Sequence, residues 1–78
     1  MDNREVAAVF DRIADLLEIQ GEAVYRVNAY RRAAESIRST SEQVVTLASA
    51  GRLQEIPGVG EAIASKIEEL LSSGKMAF

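Results

Sequence analysis

Two features of this 78-residue sequence have residue types and spacing that could do chemistry. One is the run Ile56, Pro57, Gly58, Val59, Gly60, followed directly by the pattern of an amphipathic helix. A proline fixes its own φ and keeps the residue before it out of the helical region, so any preceding turn must stop at Ile56. Gly58 and Gly60 accept positive φ and carry no Cβ, so the backbone there can lie close against another molecule. The first four amides of the helix that follows have no partner within it, and the helix dipole adds positive character at that end. Together these make a backbone site for an anion, with phosphate the usual one. The other feature is Lys66, on the edge of the apolar stripe formed by Ile63, Ile67, Leu70 and Leu71, with small neighbours Ala62 and Ser65. Partial burial is what turns a lysine amine into a nucleophile toward an aldehyde near neutral pH. Each feature has a plainer reading. Glycines can simply turn the chain between helices, and a helix-edge lysine can snorkel and pair with Glu69 three residues on.

The elements that must position these residues are all helical by pattern. A first helix is expected from about Asn3 to Ile19, with Val6, Val9, Phe10, Ile13, Leu16 and Leu17 as its buried stripe. Asp2 or Asn3 can cap its start, and Gly21 marks its end. A second helix, from Val24 or Tyr25 to Arg38, turns Val27, Tyr30, Ala33, Ala34 and Ile37 inward. Thr40 with Gln43, or Ser41 alone, can start a third, which runs to Ser49 with Val44, Val45, Leu47 and Ala48 on its apolar side. Arg52 to Glu55 form a short turn, and the last helix runs from Glu61 to Ser73 until Gly74 stops it. The expected fold class is therefore all-α, a compact bundle of four helices plus a short helical turn in one domain, residues 1–78.

Composition narrows the function. There is no cysteine and no histidine, which removes disulfides, thiolate metal sites, common zinc chemistry and the usual general base. No run approaches membrane-spanning length and no secretory apolar segment opens the chain, so an intracellular place, cytoplasmic or nuclear, is expected. The net charge of −3 is unevenly spread: residues 26–38 sum to +3, residues 1–25 to −4 and residues 39–78 to −2. A basic segment in an acidic domain points mildly to an anionic partner. Arg26 sits in the first turn of its helix, where the dipole disfavours a cation, which fits a charge kept for a partner or one tolerated at small cost.

Ile56 to Gly60 with the Ala-rich helix behind it resembles the helix-hairpin-helix motif of DNA-binding proteins, at about 52–73. Residues 25–34, Tyr-Arg-Val-Asn-Ala-Tyr-Arg-Arg-Ala-Ala, resemble the second helix of the small N-terminal domain of X-family DNA polymerases. With the first helix, the resemblance covers nearly the whole chain. It implies a DNA-binding domain from a longer polymerase, gripping the downstream strand near its 5′ end at gaps or nicks during repair synthesis. It would work without sequence preference, as a monomer, beside the polymerase domain of the same longer chain. Magnesium would belong to that absent domain, since no paired catalytic aspartates are present here and Asp11 with Asp15 have ordinary surface spacing.

The resemblance assigns DNA contacts to Gly58, Val59, Gly60, Arg26, Tyr30, Arg31 and Lys66. It also implies a potassium or sodium ion on the backbone carbonyls of Gln54, Ile56 and Val59, bridging to a DNA phosphate. In members with deoxyribose-phosphate lyase activity a lysine forms a Schiff base with the sugar aldehyde, and the matching residue is Lys66. This sequence departs from that pattern. The family's histidine is Tyr25, two phosphate-binding lysines are Gln54 and Ala62, and a glutamate is Ser65. Losing two cations from a phosphate pocket favours binding over the lyase. A second class of reading is a non-catalytic protein-interaction module. Arg26, Arg31 and the hairpin glycines on one face would favour DNA binding, and their divergence would favour the module.

Overall fold

The structure, a computed structural model, describes residues 1–73. It is all-helical, with α1 (Asn3–Ile19), α2 (Val24–Ser39), α3 (Val44–Ser49), a single 3-10 turn (Leu53–Glu55) and α4 (Glu61–Ser73). That is the expected set of four helices and one short turn. The stop expected at Gly74 lies outside the described residues.

Helices α1 and α2 form the closest pair. Helix α2 buries the expected stripe in full: Val27, Tyr30, Ala33, Ala34 and Ile37. Helix α1 is rotated from the expected stripe. Ala7 and Ala14 are fully buried, while Leu16 is 38% exposed and Val9 is only partly covered. Small residues on both partners, Ala7 and Ala14 with Ala33 and Ala34, allow close approach of the two axes, and tight packing outweighs the gain from covering Leu16. Phe10 and Tyr30 meet edge to face, with ring centroids 5.6 Å apart.

The acidic side of α1 is more than a solvated face. Asp11 pairs with Arg38 at 2.6 Å, and Arg31 reaches Asp15 at 3.0 Å and Glu18 at 3.4 Å. Arg31 and Arg38 are seven residues apart and share one flank of α2. That flank is braced on α1.

The start of α3 differs from expectation and shows how the C-terminal half is held. Asp2 caps α1 in a capping box, accepting from the Glu5 amide at 2.9 Å while the Glu5 carboxylate accepts from the Asp2 amide at 3.3 Å. Asn3 is thus free for another task, and it is buried. Its Oδ1 accepts from the Val44 amide at 2.8 Å, and its Nδ2 donates to the Glu42 carbonyl at 2.8 Å and the Ile37 carbonyl at 3.3 Å. Neither Thr40 nor Ser41 caps α3, and Gln43, its N-cap residue, makes no side-chain cap bond. Val44 and Leu47 point inward, while Val45 is 47% exposed rather than part of the apolar side.

Candidate nucleic-acid interface

The stretch from Leu53 to Gly60 is held by every third side chain. Leu53, Ile56 and Val59 are buried, each at 4% exposure or less, while Pro57, Gly58 and Gly60 lie outside. The turn is closed by the Ile56 amide on the Leu53 carbonyl at 3.1 Å and the Val59 amide on the Ile56 carbonyl at 3.0 Å. Burying the apolar side chains therefore turns the glycine backbone outward.

The two glycines do different things. Gly58 has φ +83, a conformation other residues rarely adopt, and a Cβ there would come within 3.1 Å of the Arg32 side chain. Gly60, expected to need the same freedom, is not among the glycines at positive φ, and a Cβ on it would meet nothing within 4 Å. Its place is the N-cap of α4, where its carbonyl accepts from the Ala64 amide at 2.9 Å. What its missing side chain leaves is open space over the helix start. The amides of Gly58, Gly60, Glu61, Ala62 and Ile63 find no acceptor among the described residues. Val59, whose amide is engaged within the turn, has none to offer an anion.

The hairpin carbonyls are also uneven. Those of Gln54 and Val59 accept no hydrogen bond among the described residues, and that of Ile56 accepts one and keeps a second lone pair. No group of three or more acidic, histidine or cysteine side chains there is arranged to hold a metal.

The arginines of α2 divide between two tasks. Arg31 is held by Asp15 and Glu18 on the α1 flank, away from the hairpin. Arg26 is exposed and pairs with Glu22 at 3.1 Å, which places a carboxylate beside the helix start and offsets the unfavourable dipole. Arg32, which sequence reasoning passed over, makes no ion pair or hydrogen bond among the described residues, and its stem lies against Gly58. Its only signal in the sequence is position. It lies one residue after Arg31, which rotates it off the α1 flank, and four before Ser36.

Tyr30 is 8% exposed and packs on Phe10, a core position. Tyr25, in contrast, is 80% exposed near the α1–α2 corner. Lys66 lies on the helix edge as expected, its side chain 43% exposed and its amine 3.7 Å from the Glu69 carboxylate. Behind the hairpin, Arg52 donates two hydrogen bonds to Glu55, at 2.9 and 3.0 Å, and reaches Glu42 at 3.5 Å. The hydrogen bonds from Arg52 hold the Glu55 carboxyl below its ordinary range, and Glu55 in turn raises the Arg52 guanidinium. Among the described residues no helix is long and apolar enough to cross a membrane. A family model described as a helix-hairpin-helix domain matches residues 1–76.

Proposed function

The chain belongs to the helix-hairpin-helix domain family, and we propose that it binds the sugar–phosphate backbone of gapped or nicked DNA as the N-terminal domain of an X-family DNA polymerase. The observation that carries this reading is the hairpin itself: outward glycine backbone and a set of amides without acceptors at the start of α4. A phosphate oxygen over Gly60 would accept from several of those amides at once, with the helix dipole behind them. Such contacts fix position on the backbone and read no base, so binding is sequence-independent. Gly58 and Gly60 supply the close approach and Val59 its carbonyl. Arg26 and Lys66 lie outside the hairpin as supporting cations, reached by exchanging Glu22 and Glu69 for phosphate. Tyr30 supports α2 from within, and Arg31 braces it on α1; that divergence from the hairpin counts toward the protein-interaction module, and the DNA reading rests on the hairpin amides instead.

Neutral oxygens at Gln54, Ile56 and Val59, two of them without other partners, suit a hard monovalent cation. An ion held there would supply positive charge to a nearby phosphate. Gapped DNA fits the polymerase reading through the resemblance of residues 25–34 and 56–60 to that family. Lys66 is assigned to binding rather than to lyase chemistry, because its amine already faces a carboxylate.

Gly60→Ala is the direct test. The residue has ordinary φ and open space, so the added methyl leaves the fold intact and only blocks approach from outside. Titration of a gapped duplex should show at least a tenfold loss of affinity while the amide spectrum stays that of the folded parent, the poorer N-cap lowering the melting temperature by only a few degrees. Unchanged affinity would leave the hairpin as a turn between helices.

A further inference from the structure

Beside the hairpin runs a groove of about 410 Å³, lined by Arg32, Glu35, Ser36, Ser39 and Thr40 of the α2 end and by Pro57. We propose that this groove is a second phosphate site, in which Arg32 takes the phosphodiester next to the one held by the hairpin amides and Glu35 limits the affinity. The proposal rests on the DNA-binding reading and extends it from one contact to a track.

Three observations meet in the groove. Among the arginines of α2, Arg26, Arg31 and Arg38 are all paired with carboxylates, whereas Arg32 has no partner among the described residues. Its stem is laid along Gly58, with Cγ and Nε both 3.1 Å from where a Cβ would stand. The stem beside this positive-φ glycine brings the guanidinium fork next to the hairpin. The planar guanidinium fork matches phosphate bidentately and loses less freedom per hydrogen bond than an ammonium would. The remaining lining supplies hydroxyls. Ser36 and Thr40 make no side-chain bond among the described residues, and Ser39 donates to the Glu35 carbonyl and keeps its acceptor lone pairs.

Glu35 is the unexpected member. It lies three residues from Arg32, in reach for a helix-surface pair, yet the two are not paired. A carboxylate in a phosphate groove opposes the ligand, so it holds binding down while Arg32 holds it up. A domain that must release one gap and move to another has use for such a restraint.

The experiment compares Arg32→Met, Glu35→Gln and Gly60→Ala on a gapped duplex over a range of salt. Methionine keeps a stem against Gly58 and removes the charge, and amide spectra of Gly58 report whether the hairpin is undisturbed. Arg32→Met should lower the salt slope by about 0.9, the loss of one phosphate contact, on duplexes with and without a 5′ phosphate alike. Glu35→Gln should raise affinity about two- to fivefold. Glu68→Gln, which makes the same change in net charge away from the groove, should leave affinity as it is. An unchanged slope in Arg32→Met, a loss confined to 5′-phosphorylated duplex, or equal gains from Glu35→Gln and Glu68→Gln would each overturn the proposal. If Gly60→Ala binds like the parent, the DNA-binding reading falls with it. If Gly60→Ala loses binding while Arg32→Met keeps its slope, only the second site falls.

Discussion

Lys66 illustrates how little a residue type says without its surroundings. A Schiff-base lysine needs an unprotonated amine and a pocket that holds the sugar aldehyde against it. Here the amine is within 3.7 Å of Glu69, on a helix edge where its side chain is 43% exposed. Two positions that carry phosphate-binding cations in the lyase pattern are Gln54 and Ala62. Borohydride treatment of the protein with a pre-incised abasic duplex should therefore trap only a faint adduct, of equal strength in Lys66→Ala. Strong trapping that disappears in the variant would establish the lyase. The arginines tell a related story. Arg26, Arg31 and Arg32 are equivalent in composition, and only the structure shows one offset by Glu22, one bound to α1 and one against the hairpin.

At the scale of elements, helix boundaries and inward stripes follow from periodicity where the side chains are large or the pattern is unbroken. Helix α2 is the clear case, since Val27, Tyr30 and Ile37 fix the inward stripe and carry the two small residues Ala33 and Ala34 with it. Helix α1 was legible in extent but not in rotation. Ala7 and Ala14 are apolar enough for either environment, and the choice of Leu16 or Ala14 as core was made by the partner helix. The hairpin was legible as a motif, because Pro57 and two glycines leave few alternatives, whereas the conformation of Gly60 was not. The start of α3 could not be read locally at all, because its cap comes from Asn3. Replacing Asn3 with alanine strands the Val44 amide and the Ile37 carbonyl in a buried place and frees the part-buried Glu42 carbonyl, which should cost about 2–3 kcal/mol in denaturant unfolding. A loss below about 0.5 kcal/mol would mean that water replaces the side chain.

For the whole molecule, the question is how a domain of net charge −3 would hold a polyanion. Seven of its twelve acids are paired with cations: Asp11, Asp15 and Glu18 on Arg38 and Arg31, Glu22 on Arg26, Glu55 and Glu42 on Arg52, and Glu69 on Lys66. Binding that relies on backbone amides and few free cations should depend only weakly on salt. The logarithm of the affinity should fall with a slope corresponding to roughly two to four phosphates. A much steeper slope, or a preference for one base sequence at equal structure, would contradict a backbone-reading hairpin.

The bond from Asn3 to the Val44 amide spans 41 residues and joins the first turn of the chain to the half that carries the hairpin. A contact so distant in sequence forms only after the long intervening segment has been ordered. A short helix such as α3 has almost no persistence of its own, so it borrows lifetime from α1. In deuterium exchange the Val44 amide should therefore be released only with the slowest amides of Phe10 and Ile37, as one cooperative unit. The N-terminal turn, far from the hairpin in sequence, then sets the lifetime of the half that carries the hairpin.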